Sequence, residues 1–273
     1  MFRKRLITAF TLIPPVILMT WAGGVWFNLL ALVWGLMPLS EFYQLVARSK
    51  VKPFTTFGLL WSILLILSPL VRLDFALPLI LTGAVVIPLV SLLFCPRKED
   101  AFSRWVWTLA GMIYVGWLLS YLVALRGAYP PLAIDKTMGR NWVFYVIIAV
   151  SISDSFAYLT GITLGRHHLA PYVSPAKTWE GAIGGIGGAV IVSLLFKLPT
   201  PLALPLTYPE AIVLGITVSV FGQLGDLVKS LLKRNTGVKD SSNLLPGHGG
   251  FLDRVDSVLF AGVLVYYYVL FMA

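Results

Sequence analysis

Apolar residues run through this chain in blocks long enough to cross a bilayer, separated by short polar stretches. A hydrocarbon core of about 30 Å takes about 20 apolar residues of helix, and the runs within residues 142–165 and 253–273 reach that length. The polar/apolar alternation over about 10 residues that marks a membrane barrel strand is sustained nowhere. The pattern predicts an all-α, polytopic integral membrane protein of about nine transmembrane helices, at roughly 5–23, 24–47, 54–70, 75–95, 104–125, 142–165, 180–197, 209–232 and 253–272. Arg3, Lys4 and Arg5 precede the first block and no small-residue cleavage site follows it, so the block reads as an uncleaved anchor rather than a signal peptide. Residues 1–125 form the N-terminal helices on this reading, and residues 126–273 form the region that carries the chemistry.

Composition agrees with the pattern. A chain with 58% hydrophobic residues and a mean hydropathy of +0.85 holds more apolar surface than a soluble domain of this size can hide. Lys and Arg fall sixteen to five on alternate sides of the predicted spans, which predicts a cytoplasmic N-terminus and an outward C-terminus. The net charge of +9 is then topology plus attraction to lipid headgroups or phosphates, not a nucleic-acid surface. The single cysteine, Cys95, excludes an intrachain disulfide and a cysteine metal cluster. Tryptophans 21, 26, 105, 107, 142 and 179 lie near helix ends and read as interfacial anchors.

Against this background the acidic residues stand out, because a carboxylate within an apolar helix is costly and tends to mark function. Asp154 and Asp226 lie in or near the ends of predicted spans, and Asp253 and Asp256 begin the last one. Asp253 and Asp256, three apart, share a helix face and have two readings: oxygen ligands for Mg²⁺, or acids favoured by the dipole at a helix N-terminus. Lys233, Arg234, Lys239 and Arg254 surround them and also have two readings: a mixture able to hold a polyphosphate, or a positive-inside loop whose basic residues only fix topology. "PGHGG", with Gly247, His248, Gly249 and Gly250, lets backbone N–H groups approach an anion just before a helix N-terminus.

A second polar cluster, "SPAKTWEG" at 174–181, supplies Ser174, Lys177, Thr178 and Glu180. Ser174 and Pro175 read as cap and first turn of a helix. Lys177 opposes the dipole there and calls for a bound anion, whereas Glu180 suits a first turn. The glycines of "GAIGGIGGA" are a helix-packing face through Gly184 and Gly188, not a nucleotide loop, since no "GK[ST]" follows and no strand precedes. His167 and His168 lack the spacing of a zinc motif and read as loop residues facing headgroups.

The run "SLLKRNTGVKDSSNLLPGHGGFLDRVD", Ser230 to Asp256, resembles at every defined position the signature of the phosphatidate cytidylyltransferases, or CDP-diacylglycerol synthases. "SPAKTWEGAIGG" and the stretch from Asp154 to Gly165 are similar to that family too. The resemblance implies an all-helical enzyme of the inner (plasma) membrane whose active site faces the cytoplasm. Its substrates would be CTP and phosphatidic acid and its products CDP-diacylglycerol and pyrophosphate. It further implies Mg²⁺, with K⁺ as a second cation, and a homodimer. Asp226, Asp253 and Asp256 would be the metal ligands; Lys233, Arg234, Lys239, His248 and Arg254 would surround the phosphates. Asp154, Ser174, Lys177, Thr178, Asp240, Gly249 and Gly250 would contribute to substrate binding. In one departure, many bacterial members carry Glu just before the signature serine, where this chain has Lys229. The rival readings are a cation-coupled transporter using Asp154 and Asp226, and a transferase acting on another lipid phosphate such as polyprenyl phosphate.

Overall fold

The computed structural model describes residues 2–71, 73–94, 100–127, 136–237 and 250–272, with the backbone alone for 2–10. The described helices are α1 (Phe2–Ala22), α2 (Gly24–Arg48), α3 (Thr55–Leu67), α4 (Ala76–Ser91), α5 (Ala101–Gly127), α6 (Lys136–Leu164), α7 (Trp179–Lys197), α8 (Tyr208–Asn235) and α9 (Leu252–Met272). Single 3₁₀ turns extend α3 to Leu70 and α4 to Phe94, and α5 contains a π-helical turn at Met112–Trp117. Among the described residues seven helices are long and apolar enough to cross a membrane; the apolar parts of α1 and α3, Thr11–Ala22 and Thr55–Leu70, are shorter. The all-α polytopic class follows directly from these lengths.

Two differences from expectation stand out. The α6 helix starts at Lys136 rather than near 142, because polar Thr137 and Arg140 are compatible with a helix end beyond the apolar run. Between α6 and α7 the chain makes an antiparallel hairpin, β1 (His168–Ala170) with β2 (Ser174–Thr178). Ser174 and Pro175 therefore lie in a strand and not in the first turn of a helix. The cap of α7 is Thr178, whose extended backbone aims its Oγ1 to accept from Gly181 N–H at 3.1 Å.

The helices form two compact units. One comprises residues 1–124 and 233–255, the other 125–232 and 256–273. In the first, Tyr43 of α2 is fully buried, and its hydroxyl donates to Thr108 O at 2.8 Å. Gly58 and Gly111 flank that ring so closely that a Cβ at either would overlap it, so α3 and α5 approach α2 through glycine. Thr108 Oγ1 also receives Phe54 N–H at 2.8 Å, which ties the start of α3 to α5.

In the second unit α6 and α7 pack through the expected glycine face. A Cβ at Gly184 would overlap the Thr160 side chain, at Gly188 it would strike the Phe156 ring, and at Gly181 it would approach Ala157 O. Van der Waals packing and interhelical hydrogen bonds take over where lipid removes the hydrophobic drive between helices. Those bonds include Tyr145 Oη with Ser193 Oγ (2.8 Å), Ser153 Oγ with Ser219 Oγ (2.7 Å), and Gln223 Nε2 donating to Ala182 O (3.1 Å). Trp142 corrects the interfacial reading of the tryptophans. It is 3% exposed and packs edge-on against Tyr145 and beside Tyr268, since the earlier start of α6 carries it into the helix interior. Trp21, Trp26 and Trp179 are exposed, as an interfacial residue requires.

Candidate active site

The approach of α8 to α9 in the second unit is set by small residues. A Cβ on Gly225 would lie 2.6 Å from Asp256 O, and one on Gly222 would just touch Ser257. Residues 222, 225, 226 and 229 recur at helical spacing, so Asp226 and Lys229 emerge on this same glycine-lined face. Lys229 then reaches both helices: its Nζ lies 2.6 Å from Asp226 Oδ1 and 2.7 Å from Asp256 Oδ2. Lys177, presented by the penultimate residue of β2, completes the group with Nζ 2.6 Å from Asp226 Oδ2. It also lies 3.5 Å from the carbonyl of Gln223.

Two cations and two carboxylates thus alternate, Lys177, Asp226, Lys229, Asp256, with formal charges that cancel. The two ends of the row differ in exposure. Lys177 and Asp226 side chains are 23% and 30% exposed, Lys229 and Asp256 only 7% and 3%, so one end meets the surroundings and the other is enclosed. A buried ion of either sign is tenable only with such pairing. The anion that the position of Lys177 called for is supplied within the chain by Asp226.

The first unit holds a second pair. Lys233 Nζ donates to Asp253 Oδ1 at 2.9 Å, and Gly250 N–H donates to Asp253 Oδ2 at 3.2 Å. The start of α9 is further held from α2: Glu41, fully buried, accepts from Phe251 N–H at 2.9 Å and from Leu252 N–H at 2.8 Å. These amides are donors that an α-helix leaves without intrahelical partners, and a carboxylate is the acceptor its dipole favours.

Of the other expected residues, Asp154 is exposed on α6, Ser174 is half-buried in β2, and Arg234 and Arg254 are exposed near the ends of α8 and α9. Lys239, Asp240, His248 and Gly249, like Cys95, lie outside the described residues. His167 and His168 do stand at a connection, but His167 is engaged. Its Nδ1 lies 2.6 Å from Glu180 Oε1, while the N–H groups of Arg166 and His167 donate to Glu180 Oε2 at 3.1 and 3.3 Å. Glu180 therefore pins the entry to the hairpin as well as suiting the first turn of α7.

Carboxylate oxygens are the donors a hard divalent ion takes, and Mg²⁺ wants them at about 2.0–2.1 Å in octahedral array. The position between Asp226 and Asp256 that such an ion would bridge is filled by the Lys229 ammonium, and the second oxygen of Asp226 is taken by Lys177. As arranged, that pair fits a cation but does not fit a resident Mg²⁺ in addition to Lys229. Among the described residues no three His, Cys, Asp or Glu side chains gather as a metal-binding group.

The sequence matches the cytidylyltransferase family over residues 3–272. The chain belongs to that family. It is 36% identical to a phosphatidate cytidylyltransferase of Brucella abortus over 268 residues, covering 97% of this chain and 92% of the relative. The phosphatidate cytidylyltransferase of Synechocystis is 33% identical over 291 residues, covering 98% and 97%. That of Bacillus subtilis reaches 43% over 155 residues, covering 57% and 54%. Membership makes this cytidylyltransferase-family chain an enzyme, a nucleotidyltransferase, and sets aside the transporter reading.

Two charged residues were given no role from sequence: Lys229, noted only as a departure from the family pattern, and Glu41. Lys229 had a signal available, its spacing of three from Asp226, which puts both side chains on one helix face. Glu41 had only its place as a lone acid amid the apolar run of α2. Its partners lie 210 and 211 positions away, a distance no local pattern spans.

Proposed function

We propose that the chain joins CTP to phosphatidic acid, forming CDP-diacylglycerol and releasing pyrophosphate. The observation that carries this reading is the row Lys177, Asp226, Lys229, Asp256, in which a hairpin lysine meets the two helices whose sequences carry the family signature. The names of the similar proteins from Brucella, Synechocystis and Bacillus support the substrates.

The chemistry needs no protein nucleophile. An anionic oxygen of the phosphatidate phosphate attacks the α-phosphorus of CTP in line; the new P–O bond forms as the bond from the α-phosphorus to the α,β-bridging oxygen breaks. Pyrophosphate leaves with that electron pair, and no proton need move. What the protein must supply is position and positive charge. Lys177, half-exposed at the open end of the row, can exchange part of its contact with Asp226 for a phosphate oxygen while Asp226 holds its ammonium in place. Within the first unit Lys233 stands in the same relation to Asp253, and Arg234 and Arg254 are exposed there, in the last turn of α8 and the first of α9. Mg²⁺ enters this reading with the nucleotide, as magnesium–CTP, where it would neutralise the triphosphate and ease loss of pyrophosphate. The lipid tails remain in the bilayer. The inner membrane, a cytoplasmic site and a homodimer complete the proposal.

The test is CTP-dependent conversion of phosphatidic acid by purified protein in detergent, with CTP, other nucleotides and polyprenyl phosphate compared, beside Lys177→Ala and Asp253→Asn. Product from CTP and phosphatidic acid, greatly reduced in both variants, is expected. Equal turnover with another lipid phosphate would overturn the substrate, and unchanged kcat and KM in Lys177→Ala would remove that lysine from the site.

A further inference from the structure

We infer that Lys229 is the built-in cation of the Asp226–Asp256 pair, so that this carboxylate pair works without a metal ion, monovalent or divalent, of its own. The inference deepens the proposed reaction and rests on it for its bearing on turnover; the geometry itself is independent of any substrate.

Three facts of placement carry it. First, one ammonium contacts both carboxylates, 2.6 Å to Asp226 and 2.7 Å to Asp256, which is the bridging role that a metal ion plays between two acids. Second, Lys229 is not a surface residue that could swing aside at little cost. Its side chain is 7% exposed, is rooted within a regular helix two turns before its end, and starts from a face where glycines bring α8 and α9 into near contact. Withdrawing it would leave two carboxylates facing each other in a poorly hydrated place, at a cost far above that of any exposed pair. Third, the charge is already balanced: Lys177 and Lys229 offset Asp226 and Asp256, and a divalent ion added to that row would leave it doubly positive.

A lysine differs from a bound ion in what it can do. Its charge is tethered and does not depend on the ionic composition of the medium, and it holds the α8–α9 junction closed whether or not nucleotide is bound. Lys229 is on this account a positioning residue. It fixes Asp226, Asp226 aims Lys177, and Lys177 is the group exposed enough to meet phosphate. A metal ion that arrives on CTP then need not be held by this pair.

Mn²⁺ serves as the probe, its binding to the purified full chain counted by electron paramagnetic resonance without nucleotide. Removing the Asp226 carboxylate by Asp226→Asn leaves the wild-type count unchanged, because that carboxylate holds a lysine and not the metal. In Lys229→Met, which keeps an unbranched side chain one atom shorter and removes the charge, the count rises by about one per chain, since the freed oxygens then suit a hard divalent ion. The variant also gains a thermal midpoint that climbs with added K⁺ or Mg²⁺, whereas the wild-type midpoint and turnover stay level when K⁺ is replaced by tetramethylammonium at fixed ionic strength. Loss of a bound Mn²⁺ in Asp226→Asn, or wild-type stability that needs K⁺, would overturn the inference. So would a Lys229→Met protein that folds and binds no more metal than wild type. If Lys229→Met does not fold, the Asp226→Asn count and the wild-type K⁺ comparison still decide. None of the binding counts depends on turnover, so a failure of the proposed reaction would show as missing product with these counts intact.

Discussion

Replacing Glu41 with Gln tests how the start of α9 is held. Glu41 is fully buried, and its carboxylate takes two backbone N–H groups, Phe251 at 2.9 Å and Leu252 at 2.8 Å. Hydrogen bonds to a charged acceptor contribute about 1.5–3 kcal/mol each, those to a neutral one about 0.5–1.5. Gln keeps the shape and one acceptor oxygen. Its other terminal group is an NH₂ that would face an N–H donor, so one bond weakens by about 1 kcal/mol and the other, about 1.5–3 kcal/mol, is lost. A neutral amide is cheaper to bury than a carboxylate, which offsets about 1–2 kcal/mol. The net loss from these two bonds is about 2 kcal/mol, or about 30-fold in the opening equilibrium of the first turn of α9. Hydrogen exchange read by mass spectrometry on peptides covering 250–253 should therefore quicken by about that factor in Glu41→Gln, with activity reduced because Asp253 sits in the turn that loosens. Exchange within about twofold of wild type would show that the carboxylate does not clamp these amides, and the reasoning would fail.

Other expectations follow from contacts of the same kind. Gly225→Ala places a Cβ only 2.6 Å from Asp256 O, so α8 and α9 must part; a loss of about 1–3 kcal/mol in thermal or denaturant unfolding and a strong fall in kcat are expected, and wild-type values in both would refute the close approach. Thr178→Ala removes the cap of α7 and should cost about 1 kcal/mol, with a raised KM for CTP or lipid because Lys177 is the preceding residue; Thr178→Ser should restore most of both. Tyr43→Phe, which gives up the bond to Thr108 O but keeps the ring between Gly58 and Gly111, should cost only about 0.5–1.5 kcal/mol in unfolding and leave kcat unaltered.

Bilayer thickness and backbone chemistry read the fold almost directly from the chain. A run of about 20 apolar residues in lipid must satisfy its own N–H and C=O groups, and the helix does so within the segment. That is why the helices from α2 to α9 appear close to where hydropathy puts them, and why the glycines of α7 could be read as a packing face. The candidate acids were legible for a related reason: Asp226 and Asp256 are conspicuous because burying them is expensive. Their partners were less so. Which cation meets which carboxylate depends on the glycine-lined approach of α8 to α9 and on the hairpin that delivers Lys177, and neither is a property of local periodicity.

The sequence by itself therefore determined the class of the molecule and the approximate placement of its helices, because composition and spacing act locally. Tertiary structure alone decided that Thr178 and not Ser174 caps α7, that Glu41 holds the start of α9, and that Lys229 stands between two aspartates expected to hold metal. Electrostatic pairing in a poorly solvated interior is settled by which charges lie within a few ångströms, and residues far apart in the chain become neighbours only through packing.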